Sequence, residues 1–286
     1  MESYQQQTRN TPYSSPAEGK DVRWGTHNPG ESVAVIIPMY RVEPYIQKVI
    51  ESVPDWVRWI IAVDDRSPDQ SGEVVKKLGD PRVILIHNPV NLGVGGAMLV
   101  GFEKAVELGA RIAVKIDGDG QMDPAFLIDM VEPLFNGQAD YTKGNRFFHV
   151  SEIAAMPFVR RIGNLGLSFL TKVASGYWNV FDPTNGYVAI RLDTYRSLDT
   201  RHISRRYFFE TSMLIELNLV RAVVNEIAMP ARYSGESSSL SIRRTLLDFP
   251  FQLLKGFLRR IWLQYFVLDF SFGSLYFIFG ILMGLF

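Results

Sequence analysis

The segment KIDGDGQMD at 115–123 places carboxylates at positions i and i+2 directly after an apolar run. In an extended chain such positions point to the same side, so Asp117 and Asp119 can present two oxygens to one hard cation. Magnesium or manganese bridging a diphosphate is the natural use, because these ions take oxygen ligands and neutralise charge that develops on a departing phosphate. A turn with solvated carboxylates is the plain alternative. A second acidic cluster, VDDRSPD at 63–69, ends another apolar run. There Asp64 or Asp65 can accept hydrogen bonds from a nucleobase or ribose, and an N-cap and turn at 67–69 is compatible with that use.

Other chemistries find less footing. The stretch NLGVGGA at 91–97 opens a helix and begins a dinucleotide fingerprint, but Met98 stands where the third glycine belongs. No GxSxG elbow and no HExxH pair is present, and the four histidines are scattered. The 286 residues contain no cysteine, which excludes disulfides, thiolate zinc sites, iron–sulfur clusters and a cysteine nucleophile. Thirty Lys+Arg balance thirty Asp+Glu, so nucleic acid is not an expected partner. The balance hides an asymmetry, because residues 201–260 carry ten basic and five acidic side chains. Acid gathers where a metal would sit and base gathers near the C-terminus.

Elements that could position these groups follow from periodicity. β-branched runs at 33–37, 59–63, 82–86 and 111–116 read as buried parallel strands, and the acidic groups fall at their carboxyl ends. Helices are expected over 44–53 and 97–108 between them. Strand alternating with helix is the signature of a parallel α/β sheet, in which ligands bind beyond the carboxyl ends of the strands. Further on come a helix around 162–173, a turn at 182–186, a short strand at 187–191 and a helix at 208–220. Residues 1–30 read as a disordered polar arm with no apolar run of signal-peptide length.

The C-terminal segment differs in character. Residues 246–262 set Phe249, Leu253, Leu254, Phe257, Leu258 and Ile261 among Lys255, Arg259 and Arg260, the pattern of a basic amphipathic helix lying on a membrane and bent at Pro250. Residues 270–286 carry no charge, and beginning at Tyr265 with Asp269 near the interface gives a spanning helix over 265–286. Basic residues before it fit a cytoplasmic flank. A buried core helix is the alternative.

Six segments in order, VAVIIPMY (33–40), VDDRSPD (63–69), NLGVGGA (91–97), DGDGQMDP (117–124), GNRF (144–147) and DPTNGY (182–187), resemble family 2 glycosyltransferases. The look-alikes are its polyprenyl-phosphate group, which includes dolichol-phosphate mannose synthase and bacterial enzymes that load glucose onto undecaprenyl phosphate. The resemblance spans about 33–286. It implies an α/β fold of the GT-A nucleotide-diphospho-sugar transferase type, with a mostly parallel sheet flanked by helices. It further implies a cytoplasmic catalytic domain over 31–240, an amphipathic membrane-surface helix over 241–264, and a transmembrane helix over 265–286. The chain stops inside an apolar run, consistent with truncation before a second spanning helix. The implied place is a bacterial-type inner membrane or its equivalent, with homo-oligomers as an open alternative.

The resemblance also implies a reaction: inverting, metal-dependent transfer of a hexose from a nucleotide-diphosphate sugar to a polyprenyl phosphate lipid, with UDP and glucose favoured. A GDP-mannose-dependent polyprenyl-phosphate enzyme, a family 2 enzyme with a non-lipid acceptor, and a nucleotide-sugar-binding membrane subunit without activity are the alternatives. Position by position, Pro38, Tyr40 and Glu43 resemble the start of the nucleoside pocket, Asp64 or Asp65 the base-binding acid, and Gly93 part of the nucleotide-sugar site. Asp117, Asp119 and Gln121 resemble the ligands of Mg2+ or Mn2+ and the diphosphate. Arg146 and Arg160 match arginines that face phosphates of donor or acceptor, and Asp182 matches a catalytic-site acid. The first segment departs from the family pattern, with Met39-Tyr40-Arg41 where Tyr-Asn is usual.

Overall fold

The computed structural model describes residues 32–146, 158–230 and 242–284; the expected arm at 1–30 lies outside them. Strands β1 (Val33–Met39), β2 (Trp59–Asp64), β3 (Val83–His87) and β4 (Ile112–Lys115) form where the apolar runs predict them. They are joined by helices α1 (Ile46–Glu51), α2 (Ser71–Leu78) and α3 (Val94–Glu107). Helix α4 (Leu127–Phe135) leads to β5 (Tyr141–Asn145), and α5 (Phe158–Ser175) leads to β6 (Val188–Arg191) and the short α6 (Leu192–Arg196). Helix α7 (Phe209–Leu219) and β7 (Val224–Ala228) complete the α/β part.

The seven strands make one sheet in the order β3-β2-β1-β4-β6-β5-β7. β1 pairs in parallel with β2 on one side and β4 on the other, and β5 pairs in parallel with β7. β6 alone runs against its neighbours β4 and β5. The sheet is therefore mostly parallel, as expected, and the chain reverses its winding between β1 and β4. A crevice at the carboxyl ends opens at such a switch point. Burial on both faces explains why the first strands read as continuous apolar runs. In β1, Val33, Val35, Ile37 and Met39 enter the core beneath α1, α2 and α4, while Ala34 and Ile36 enter the core beneath α3 and α7. Each large side chain so buried contributes roughly 1.5–3 kcal/mol. At Gly101, a Cβ would lie 2.3 Å from Ile36 Cγ2, so glycine permits the close approach of α3 to β1.

β5 and β7 escape the periodicity argument because YTKGN and VNEIA carry polar side chains inward, toward one another and the site. The other differences are shifts of a few residues. α3 begins at Val94 rather than 97, and β6 begins at Val188.

The C-terminal part departs further from expectation. α8 (Ile242–Trp262) is amphipathic, and two of its basic residues, Arg259 and Arg260, face the protein while Lys255 is exposed. Arg259 pairs with Glu216 of α7, and Arg260 donates to the carbonyls of Val173 and Ala174 at the end of α5. Leu253 packs with Ala174, Phe208 and Ile215, leaving Phe251, Leu254, Leu258 and Trp262 exposed. The single helix expected over 265–286 is interrupted. A π-helical turn (Leu263–Leu268) ends at Asp269, which is extended and ion-paired with Arg221 at 3.2 Å, before α9 (Phe272–Gly284) begins. At 1.5 Å per residue α9 is about 20 Å long, against an apolar bilayer core of about 30 Å. No helix among the described residues is long and apolar enough to cross a membrane.

Candidate active site

The carboxyl ends of β4, β5 and β7 and the turn before β6 enclose one cleft, lined among others by Asp117, Asp119, Gln121, Arg146, Thr184 and Gly186. Three of the six ordered segments thus meet in it through Asp117, Arg146 and Thr184, with the 117–123 loop on one wall and the 182–187 turn on the other. The loop is shaped locally. Asp119 Oδ1 accepts the Gln121 N–H at 3.0 Å, and Met122 Sδ accepts the Asp117 N–H at 3.3 Å. Gly186 is needed for the close approach of the two walls, because a Cβ there would fall 2.5 Å from Lys115 Nζ and 3.0 Å from Asp117 Oδ2.

Beneath the loop, Lys115 is 1% exposed, with its Nζ 2.6 Å from Asp117 Oδ1 and 3.6 Å from Glu210 Oε1. Burial opposes its charge most strongly, yet Asp117, Glu210 and Asp119 outweigh burial and hold its pKa above the ordinary lysine value. Part of the Asp117 charge is thereby balanced from within. Among the described residues no group of three or more His, Cys, Asp or Glu side chains is arranged to hold a metal. Two half-buried carboxylates and an amide on one rim fit a cation that completes its shell with phosphate oxygens and water, as magnesium and manganese do.

Across the cleft, Asp182 is fully buried and forked by Arg146: Nε to Oδ2 at 2.8 Å and Nη2 to Oδ1 at 3.0 Å. Such bidentate charge-assisted pairs are strong and geometrically specific. Glu226 of β7 supports the pair from behind, accepting the N–H groups of Phe181 and Asp182 at 2.8 and 3.0 Å and the Asn145 amide at 2.7 Å. Burial pushes the Glu226 carboxyl up, against the lowering effect of those two N–H donors. Asp182 therefore holds Arg146, whose side chain remains one-third exposed at the cleft.

The other candidate residues lie along the carboxyl ends of β1 and β2. Asp65 is almost wholly internal: Oδ1 accepts from Asn88 Nδ2 and the Leu92 N–H, and Oδ2 accepts from the Gly93 N–H. Asp64 accepts the Ser67 N–H at 2.8 Å and lies 2.9 Å from His87 Nδ1. Asp69 stitches the 67–71 loop to the end of β1 through Ser67, Ser71 and the Glu43 N–H; although burial pushes it up, these bonds hold its pKa at about 2. Glu43 in turn accepts the Gln70 N–H. Pro38 lies within β1, and Tyr40 is exposed with the Arg41 guanidinium 5.5 Å from its ring centre. Gly93 and Gly95 meet chain rather than open space: added Cβ atoms would lie 2.6 Å from the Arg205 carbonyl and 2.1 Å from that of Ser204. The Gly96 N–H donates to Arg205 O, so the protein's own backbone covers the start of α3. Arg160 falls in the first turn of α5, with its side chain outside the described residues.

Sequence reasoning missed Lys115, Lys143, Glu210 and Glu226 as parts of this site. One signal was available: a lysine inside the apolar run 111–116, since lysine is almost never buried without a partner.

Comparison with known proteins gives this arrangement a class. The glucosyl-3-phosphoglycerate synthase of Mycobacterium tuberculosis, solved with Mn2+, UDP and glucosyl-3-phosphoglycerate, superposes with a TM-score of 0.60 at 20% identity, covering 88% of this chain and 86% of that one. The fold is GT-A, and the protein is a glycosyltransferase. It belongs to glycosyl transferase family 2, whose model matches residues 34–198. The UDP-N-acetylglucosamine–dolichyl-phosphate N-acetylglucosaminyltransferase of Methanococcus voltae is 32% identical over 72% of this chain and 87% of its own length. The undecaprenyl-phosphate mannosyltransferase of Micrococcus luteus is 30% identical over 72% and 86%.

Proposed function

We propose that the protein transfers a sugar from a nucleotide-diphosphate donor to a polyprenyl phosphate, with inversion at the anomeric carbon. The observation that carries this reading is the single cleft in which Asp117, Asp119 and Gln121 face the Arg146–Asp182 pair. Exposed Phe181 immediately precedes Asp182 in the chain, and exposed Trp178, three residues earlier, lies edge-on to Phe169 of α5. Charge for two phosphates and an apolar flank for a lipid thus adjoin.

A lipid monophosphate has a second pKa of about 6 and arrives largely as a dianion, so it needs no strong base. Its oxygen attacks the anomeric carbon as the bond to the diphosphate oxygen breaks, and the electron pair leaves with the diphosphate. Asp117, Asp119 and Gln121 would hold Mg2+ or Mn2+, which supplies charge neutralisation to the departing diphosphate. Arg146, kept in place by Asp182, holds the phosphate in line for attack. Asp182 has a positioning task rather than a proton to remove, since both its oxygens are engaged by Arg146.

The relatives' names carry N-acetylglucosamine and mannose, so they lend glucose no preference over these sugars. The UDP of the first relative supports a uridine donor. Apolar side chains exposed on α8 and along 267–283 support attachment of this face to a membrane surface, with α8 seated by its arginines on the catalytic domain. The test is direct. Purified protein with undecaprenyl or dolichyl phosphate, Mg2+ or Mn2+ and radiolabelled UDP-GlcNAc, UDP-glucose and GDP-mannose labels the lipid from one donor. A panel in which every donor leaves the lipid unlabelled overturns the reading.

A further inference from the structure

The turn that carries Asp182 rests on two buried lysines. Lys115 closes β4 and Lys143 lies mid-way along β5, and both pair with Val188 of β6, one from each side. Directly opposed residues share a face of the sheet, so the two ammonium groups flank Val188 beneath the turn. Lys143 Nζ donates to the Asn185 carbonyl, and Lys115 Nζ donates to the next carbonyl, Gly186, at 3.2 Å. Two consecutive peptide groups of the turn are each held from below by a separate cation. Both lysines are buried, a placement that costs too much to persist without paired charge.

The two differ in their partners. Lys115 has Asp117 at 2.6 Å, which belongs to the cation rim. Lys143 is faced by Glu210 of α7, Asp182 of the turn and Glu226, its register partner on β7, all acidic, and by Lys115 of β4 and Arg146 at the end of β5, which oppose its charge. Burial is the strongest influence and brings its pKa down to about 8.

We propose that Lys143 is a positioning residue for the transfer: its ammonium fixes the Asn185 carbonyl and so holds the 182–187 turn with Arg146–Asp182 opposite Asp117 and Asp119. The proposal rests on reading that cleft as the site of transfer. A misplacement of about 1 Å of groups that orient reactants can cost about 10²-fold in rate, so a clamp beneath them matters although it touches no substrate.

Amide hydrogen exchange over 182–187 tests the clamp without any substrate, so clamp and sugar transfer can fail separately. Protection there falls about tenfold in Lys143→Met, as expected for losing a hydrogen bond from a charged group. In the unsubstituted protein protection falls as pH rises through about 8, where Lys143 gives up its proton. Glu210→Gln keeps the shape of the side chain but removes the charge that favours the ammonium, so the fall moves to lower pH. With an active donor, kcat shows the same alkaline limb and the same displacement, while KM for the donor stays put. A folded Lys143→Met protein with unchanged protection overturns the proposal. So does a Glu210→Gln protein whose exchange and kcat profiles keep the original pH dependence, and this second variant decides the matter if Lys143→Met does not fold.

Discussion

The two halves of the site use aspartates differently. At the ends of β1 and β2, Asp65 accepts hydrogen bonds from neutral amides of the 88–93 segment, and Asp69 accepts from hydroxyls of its own loop. At the ends of β4 and β5, Asp117 and Asp182 meet cations, Lys115 and Arg146, and the walls that carry them are joined by buried lysines. The first half is a scaffold whose carboxylates set loop shape. On the proposed function, the second is an electrostatic device whose fixed charges would stand where charge develops during transfer. Identical residue types in similar positions after strands therefore do different work, and the partner decides which.

The contrast can be broken experimentally. The largest effect is expected for Asp119→Ala, which removes an oxygen ligand from the diphosphate rim and should lower kcat by about 10²–10³-fold with little change in melting temperature. Retained activity would dissolve the distinction between the halves. Arg146→Ala leaves Asp182 buried without its fork and should cost about 3 kcal/mol in denaturant unfolding, at the low end for a broken buried pair because Arg146 is partly exposed. Asp65→Ala strips the acceptor of three donors and should cost about 2 kcal/mol, while the folded fraction keeps its turnover at saturating donor. The smallest effect concerns acid stability. Because the Asp69 pKa is held at about 2 when folded, its contribution is complete above about pH 4 and is lost as pH falls through about 2. Asp69→Asn should flatten the unfolding free energy across that window, and an unchanged slope would remove Asp69 from the scaffold.

The scaffold half was the more legible in sequence. Its strands are apolar throughout because both faces are covered, and the turn chemistry of 67–69 announces the loop. The apolar run before them placed the aspartates at 117 and 119 beyond the end of a strand, but not in extended chain: β4 ends at Lys115 and Asp119 lies in a turn. The far wall could not be placed, because β5 and β7 carry the lysine, asparagine and glutamate that build the site, and polar side chains conceal strand periodicity. Whether Asp65 meets a ligand or a backbone depends on residues 88–93, and whether Arg259 meets a membrane or Glu216 depends on α7. These are contacts between distant segments, which local spacing does not encode. At the break, Asp269 pairs with Arg221, again a contact between distant segments.

Turnover per folded molecule, measured for Asp119→Ala and Asp65→Ala in one lipid-labelling assay alongside thermal unfolding, tests the central claim most directly. The account predicts a crossed result: Asp119→Ala melts normally and transfers almost nothing, whereas Asp65→Ala melts earlier and its folded molecules still label polyprenyl phosphate. Full transfer by Asp119→Ala, or loss of transfer by well-folded Asp65→Ala, would contradict it.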